Sequence, residues 1–419
     1  MGLGITINAQ YNGPEETCRS ALMDFFNVET SPVPGQEIQV RETNEGVSVG
    51  LFFADEDIFC EFVDNGLTIS VKTSGSGPGY HAYVAGVLHR LRKAGFLDWN
   101  DEDVEDETGF WKNNDYAALQ EEMAEWLNAI SHILAERGAE EEISRWSLGM
   151  PADWRPDWDD PRICHKLGWF SPDFFDKIAT QSPSREDCKE FFLWWEREPC
   201  AEFHLKCALC MMWCDCNWLS PETERETRLY RSMLMCLEKA WEQDHGLKFP
   251  TAEWKELAKL NEDDGLSLEL SHRFPEGALN ATGVGYRRGR IERFINGWSI
   301  SMPGTVHENF EDNTFVYWVE DRCVRITSLT VTGDNLSAQR LIDLLTQGLP
   351  AKDFDLPGET GIKSRITPPE RHENDDGTVY YGINFMAAKD DGNGLYMSLY
   401  YDGPPENNAW ALDICASVR

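Results

Sequence analysis

Positive charge is scarce in this chain. Across 419 residues, 38 Lys and Arg stand against 73 Asp and Glu, a formal net charge of −35. Such a balance repels nucleic acid and anionic membrane, because binding a phosphate-rich surface depends on cations that displace counterions. It favours basic protein partners and steers their approach. Long apolar runs are also missing. The densest, CALCMMWC, falls far short of the roughly 18 apolar residues of a membrane helix. The start, MGLGITINAQ, has neither a basic beginning nor an apolar centre, so no signal peptide is expected. Met1, Gly2 and Thr6 do fit an acylation pattern, but GITINAQ alternates as a strand does. The expected compartment is cytoplasmic, with the twelve cysteines reduced. The general look is that of an acidic bacterial protein.

Three catalytic signatures are absent as well. The chain has no G-x-x-x-x-G-K-[ST], no H-E-x-x-H and no H-x-E with a following P-C-x-x-C. Its nine histidines are scattered. His81 and His89 share one predicted helix, and His307 lies beside Glu308. No catalytic residue, metal ligand or cofactor is assigned.

What is present is a chain able to fold. Hydrophobic residues make up 41% and aromatics 12%, including 16 Trp, enough to build cores. The expected class is α+β, with antiparallel meander-plus-helix domains at both ends flanking a central Trp/Cys-rich helical domain. The boundaries read 1–110, 111–262 and 263–419. In the first, QEIQVRET, VSVGLFFA, IFCEFVD and LTISVKT alternate as strands between polar turns. In the second, Leu119, Met123, Trp126, Leu127, Ile130 and Leu134 recur at helical spacing. SREDCKEFFLWWERE and SPETERETRLYRSMLMCLEKAW continue the helical theme, the latter opened by Ser220 and Pro221. In the third, LSLELSHRF, RIERFINGWSISM, TFVYWVED, CVRITSLTVT, TVYYGINFMAAKD, GLYMSLYYD and WALDICASV return to strands, with SAQRLIDLLTQG as a helix. The segments FVDNGLTISVKTSGSGPG and WVEDRCVRITSLTVTGDN align, setting Asp64 on Asp321, Ile69 on Ile326 and Thr73 on Thr330. Either the two ends are related modules or the match is chance.

Four motifs invite chemistry. Cys207 and Cys210, with His204, have the composition of a zinc site. Cys200, Cys207 and Cys214 recur every seven residues, however, which places them on the apolar seam of one helix. The acidic run DWNDEDVEDETG lacks the mid-loop glycine of a calcium loop. It reads as a solvated linker or helix flank, or as a surface for a basic partner. Arg287, Arg288, Arg290 and Arg293 form a basic island whose default role is ion pairing within the chain. The loop TSGSGPGYH joins a strand to a helix as phosphate loops do. Its spacing is G-x-G-x-G, it lacks a lysine, and Pro78 has no N–H, so a structural turn is the better reading.

Two functional expectations follow. The first is a cytoplasmic binding protein that captures a basic protein partner, immunity- or antitoxin-like, neutralising a toxin such as a nuclease. Its candidate interface is Asp153, Trp154, Asp157, Trp158, Asp159 and Asp160, where indoles anchor and carboxylates steer. The alternative is an enzyme or sensor that binds a small anionic ligand between domains through Gly77, Gly79, His81, Arg287, Arg288 and Arg290.

Overall fold

The computed structural model describes residues 2–63, 66–137, 147–154, 162–278, 280, 283–331, 337–358 and 361–419. The class is α+β, with strands towards both ends and helices in the middle. The chain forms two compact units rather than three domains. The first takes most of residues 1–285. The second takes residues 286–419 together with the short segments 151–155 and 217–223. Residues on both sides of position 110 belong to the first unit.

In the first unit, strand β1 (Gly4–Tyr11) leads to helix α1 (Glu15–Asn27). The meander follows: β2 (Gln39–Glu42), β3 (Gly46–Gly50), β4 (Ile58–Val63) and β5 (Gly66–Lys72). Helix α2 (Pro78–Lys93) comes next, then β6 (Leu97–Asp98) and β7 (Val104–Asp106). The sheet runs β2-β3-β4-β5-β1-β6, with β7 also on β1. Period-2 alternation turns Ile5, Ile7, Leu67, Ile69 and Val71 inward. Helix α2 buries Val84, Val87, Leu88 and Leu91, each worth about 1.5–3 kcal/mol. It stops at Gly95, whose φ of 82° provides the left-handed turn.

The acidic run is not a linker. It forms a short 3-10 turn at Asp101–Asp103 and then β7, which pairs with β1. Asp101 pairs with Arg92 at 2.7 Å, and Glu107 Oε2 accepts the Gly4 N–H at 3.0 Å.

The helical part contains α3 (Phe110–Asn113) and α4 (Tyr116–Arg137). A small sheet of β8 (Ser147–Leu148), β9 (Ile163–His165) and β10 (Gly168–Phe170) separates these from α5 (Pro172–Gln181) and α6 (Arg185–Phe191). Then come α7 (Ala201–Cys214), α8 (Glu224–Gln243), α9 (Thr251–Leu260) and α10 (Asp264–Arg273). Three expectations change here. Helix α6 ends at Phe191, and FLWWE runs on irregularly with Phe192 and Trp194 buried. Helix α8 starts at Glu224, not at Ser220, because 217–223 belongs to the second unit. LSLELSHRF is helical: Asp263 caps the Leu266 N–H at 2.9 Å, and Leu270 is the residue buried.

The second unit opens with the hairpin β11 (Arg290–Ile295) and β12 (Trp298–Pro303). Its Asn296-Gly297 turn has φ 46° and 80°. The large sheet contains β13 (His307–Glu311), β14 (Thr314–Val319) and β15 (Arg322–Thr330). Helix α11 (Ala338–Leu345) follows, then β16 (Lys352–Asp353), β17 (Lys363–Ile366), β18 (Glu370–Glu373), β19 (Val379–Ala388) and β20 (Asn393–Asp402). Helix α12 (Ala409–Ala416) corrects the strand-like reading of WALDICASV; it sets Ala411, Ile414 and Cys415 in the core. The order is β13-β14-β15-β20-β19-β17-β16, with β18 also on β19.

The two aligned segments do occupy like places. Each is a hairpin strand followed by a helix, and Ile69 and Ile326 are both fully buried. The next neighbour is β1 in one sheet and β20 in the other. Thr73 is buried whereas Thr330 is exposed, and Asp64 lies outside the described residues.

Candidate functional site

The glycine loop is filled by protein. Trp194 donates its backbone N–H to Ser76 O at 2.9 Å, and Gly79 donates to Trp194 O at 3.0 Å. A Cβ on Gly79 would sit 2.0 Å from Trp194 Cδ1, and one on Gly77 would sit 2.8 Å from Phe192 Cβ. The glycines admit an indole, not a phosphate. The amides an anion would use are taken: Gly77 donates to Thr73 O and His81 to Gly77 O.

His81 is fully buried. Its Nδ1 meets Thr73 Oγ1 at 2.8 Å, and its Nε2 lies 3.2 Å from Thr108 Oγ1 and 3.4 Å from Asp106 Oδ1. Thr108 donates its one hydroxyl proton to Asp106 at 2.7 Å, which leaves His81 Nε2–H as the donor towards that carboxylate. Burial raises the Asp106 carboxyl. Hydrogen bonds from His81, the Trp111 amide and Thr108 outweigh it and bring the carboxyl down to about 2. The network fastens α2 to the turn after β7. The anionic-ligand role expected for Gly77, Gly79 and His81 therefore gives way to a structural one.

Beside this loop lies a Ser–Lys pair. Lys166 Nζ donates to Ala54 O at 2.6 Å and to Ser76 Oγ at 3.1 Å. Asp55 lies near; burial raises its carboxyl, against the opposing pull of Lys166. The composition suits a nucleophile and base, but Ser76 is 0% exposed and Lys166 2%. No substrate reaches atoms shielded to that degree, so the pair pins the loop.

The other candidates are engaged too. Arg287 is buried, with Glu308 at 3.5 Å. Arg288 lies over the Trp218 ring at 3.5 Å. Arg290 pairs with Asp413 at 2.5 Å and donates to Ser301. The basic island is thus ion-paired and stacked within its unit, the role its composition suggested by default. Asp153 is also turned inward: it holds Arg293 at 2.9 Å and accepts from Tyr286. It cannot steer a partner from there. Trp154 is half-buried. Asp157, Trp158, Asp159 and Asp160 lie outside the described residues. In α7, Cys207, Cys210 and Cys214 are buried, and burial lowers His204 to about 4. Among the described residues no cluster is able to hold a metal, and no disulfide forms.

A cleft marked by no sequence motif opens on the second unit, about 320 Å³ in volume. Strand register explains it. Trp318 stands opposite Cys323, Cys323 opposite Tyr400, and Tyr400 opposite Gly382. Cross-strand partners share a face. Tyr380 and Asp402 pair two residues further on, on the same face. The reverse face, with Tyr317, Val324, Leu399 and Ile383, is core. Helix α11 covers the far end of the outer face over Leu329, Met386 and Ala388. At the near end Trp318, Cys323, Tyr380 and Tyr400 stay partly exposed.

Its walls are ordered by their neighbours. His372 stacks on Tyr380 (5.1 Å, 19°), and Tyr380 meets Tyr400 nearly edge-on (5.9 Å, 69°). A Cβ on Gly382 would come within 3.0 Å of both His372 Nε2 and Tyr400 Cδ1, so glycine lets the rings cross the strand. Trp318 Nε1 donates to Glu222 Oε2 at 2.6 Å, and His307 stacks on its ring. Glu320 and Asp321 form the two-residue turn between β14 and β15, at the rim. Glu320 has φ 49°, a left-handed conformation that favours Gly or Asn. The signal for this cleft is aromatics at both parities of FVYWVED, VYYGINFM and YMSLYYD, where a one-sided sheet has polar residues at one parity.

No family model matches the chain, and no curated protein matches it. A solved structure from Bacteroides thetaiotaomicron VPI-5482 is 14% identical, with a TM-score of 0.26 over 32% of this chain. The chain spans 48% of the length of that structure, and likeness at this level carries no argument.

Proposed function

We propose that the protein captures a basic polypeptide partner, in an immunity- or antitoxin-like role such as neutralising a toxic nuclease. One observation carries the reading: acidic residues outnumber basic ones throughout the chain, in both its larger and its smaller part. Asp and Glu number 53 against 25 Lys and Arg in residues 1–285, and 20 against 13 in residues 286–419. Many of the cations are already matched within the fold, Arg19 to Glu15, Arg90 to Glu29, Arg273 to Glu238 and Arg293 to Asp153 among them. Unmatched carboxylates stay in water, because burying them is too costly. Their field accelerates encounter with a basic protein and is screened by salt. The anionic-ligand alternative loses its support, since its glycine amides and arginines are engaged.

The test is affinity capture at low salt, followed by binding of the purified recovered protein across a salt series. The expected partner is basic, and its affinity falls at least about tenfold between 50 and 200 mM salt. Recovery of no basic protein, or an affinity indifferent to salt, contradicts the reading.

A further inference from the structure

We infer that the partly exposed end of the second unit's sheet is an arginine-accepting cleft; this rests on the capture reading and names where the partner anchors. Three features converge. The first is shape. Tyr380 and Tyr400 both line the cleft with their rings at 69° to each other, so a flat group slides against one ring and meets the edge of the other. The second is charge. Asp402 follows Tyr401 at one side, and Glu320 with Asp321 stands at the other, against Arg322 as the lining cation. Arg322 is already directed to Asp321 (3.9 Å) and to the Trp410 ring (5.6 Å). The third is strain. Glu320 holds a left-handed backbone at a turn where glycine is easier, and that strain keeps a carboxylate at the rim.

Among cations, guanidinium fits best. It is planar, stacks on aromatic faces and forks onto carboxylates, whereas ammonium is a strongly hydrated point charge. A neutral sugar also stacks on tyrosine, but it gains nothing from three carboxylates.

The probe is a capped tripeptide, acetyl-Gly-Arg-Gly-amide, titrated into the full chain by calorimetry. Its citrulline analogue, its lysine analogue and maltose are titrated in parallel. The arginine peptide is expected to saturate with a Kd on the order of 1 mM. The lysine peptide should bind several-fold more weakly, and citrulline and maltose should show no saturation. Asp402→Asn and Glu320→Gln should each weaken the arginine peptide about three- to tenfold. Tyr380→Ala should abolish saturation. Should Tyr380→Ala unfold, the two isosteric variants still decide the matter, with thermal unfolding as the check. Equal binding of arginine and citrulline peptides, saturation by maltose instead, or unchanged affinity in both isosteric variants overturns the inference. If a basic partner binds with salt dependence while Asp402→Asn and Glu320→Gln leave it untouched, the cleft fails and the capture reading stands. If the peptide binds at the cleft but no basic partner is recovered, the capture reading fails and the cleft stands.

Discussion

The two large sheets share a plan and differ in what they do with their second face. In the first unit, the strands that turn Ile5, Ile7, Leu67 and Ile69 inward present Thr6, Asn8, Thr68 and Ser70 on the reverse. That is the ordinary economy of an antiparallel sheet with one wet face. In the second unit, the core face of Tyr317, Leu399 and Ile383 is backed by Trp318, Tyr400 and Tyr380. Helix α11 uses only part of that reverse face. Glycines serve close packing in both units. Gly79 makes room for Trp194, and Gly382 makes room for the rings of His372 and Tyr400.

The largest effect should come from the filled side. Trp194→Ala should cost about 3–5 kcal/mol in denaturant unfolding, the range for a fully buried aromatic. Gly79→Ala should cost about 1–3 kcal/mol through overpacking. A loss below about 0.5 kcal/mol for both would mean that the loop is open rather than filled by Trp194. The next effect is acid sensitivity at the same junction. The Asp106 carboxyl sits at about 2 in the fold, against about 4 when unfolded. Its contribution is therefore complete above about pH 4 and is lost as pH falls towards 2, an amount of about 2 kcal/mol. The stability gap between the native chain and Asp106→Asn should shrink over that interval; a constant gap would remove the carboxylate from the account.

On the open side, Glu320→Gly should stabilise by about 1 kcal/mol by relieving the left-handed backbone, while weakening the arginine peptide. Stabilisation without loss of binding would show that the strain serves nothing. The smallest effect is on the cysteine helix. Zinc or a chelator should shift the melting temperature by less than about 1 °C, because Cys207, Cys210 and Cys214 pack as small apolar groups. A clear rise with zinc would restore the metal reading.

Much of the architecture was legible from period alone. The meander of residues 39–72 and helices α2, α4, α7 and α9 carry period-2 or helical patterns, and β14, β15, β19 and β20 stand out as runs rich in β-branched and aromatic residues, whereas β16 to β18 carry neither signal. LSLELSHRF was not legible, because Leu266, Leu268 and Leu270 satisfy both periods and the arbiter was the Asp263 cap. The fate of the glycine loop was hidden for a different reason. Its partner, Trp194, lies more than a hundred positions along the chain, and no local rule joins them. Asp153 looked like a steering carboxylate because its pairing with Arg293 is equally non-local. The cleft lay in plain view as aromatics at both parities, a departure from one-sided alternation rather than a motif.

Cys323 offers the most direct measurement. It lies in the cleft row between Trp318 and Tyr400 and is partly exposed, whereas Cys207, Cys210 and Cys415 are buried. Neutral iodoacetamide at fixed pH, followed by peptide mass mapping, reads its accessibility together with its thiolate fraction. With saturating acetyl-Gly-Arg-Gly-amide, alkylation of Cys323 should slow several-fold while that of Cys200 stays unchanged, and the citrulline peptide should give no protection. Equal alkylation of Cys323 with and without the arginine peptide would contradict the assignment of this face as the binding surface.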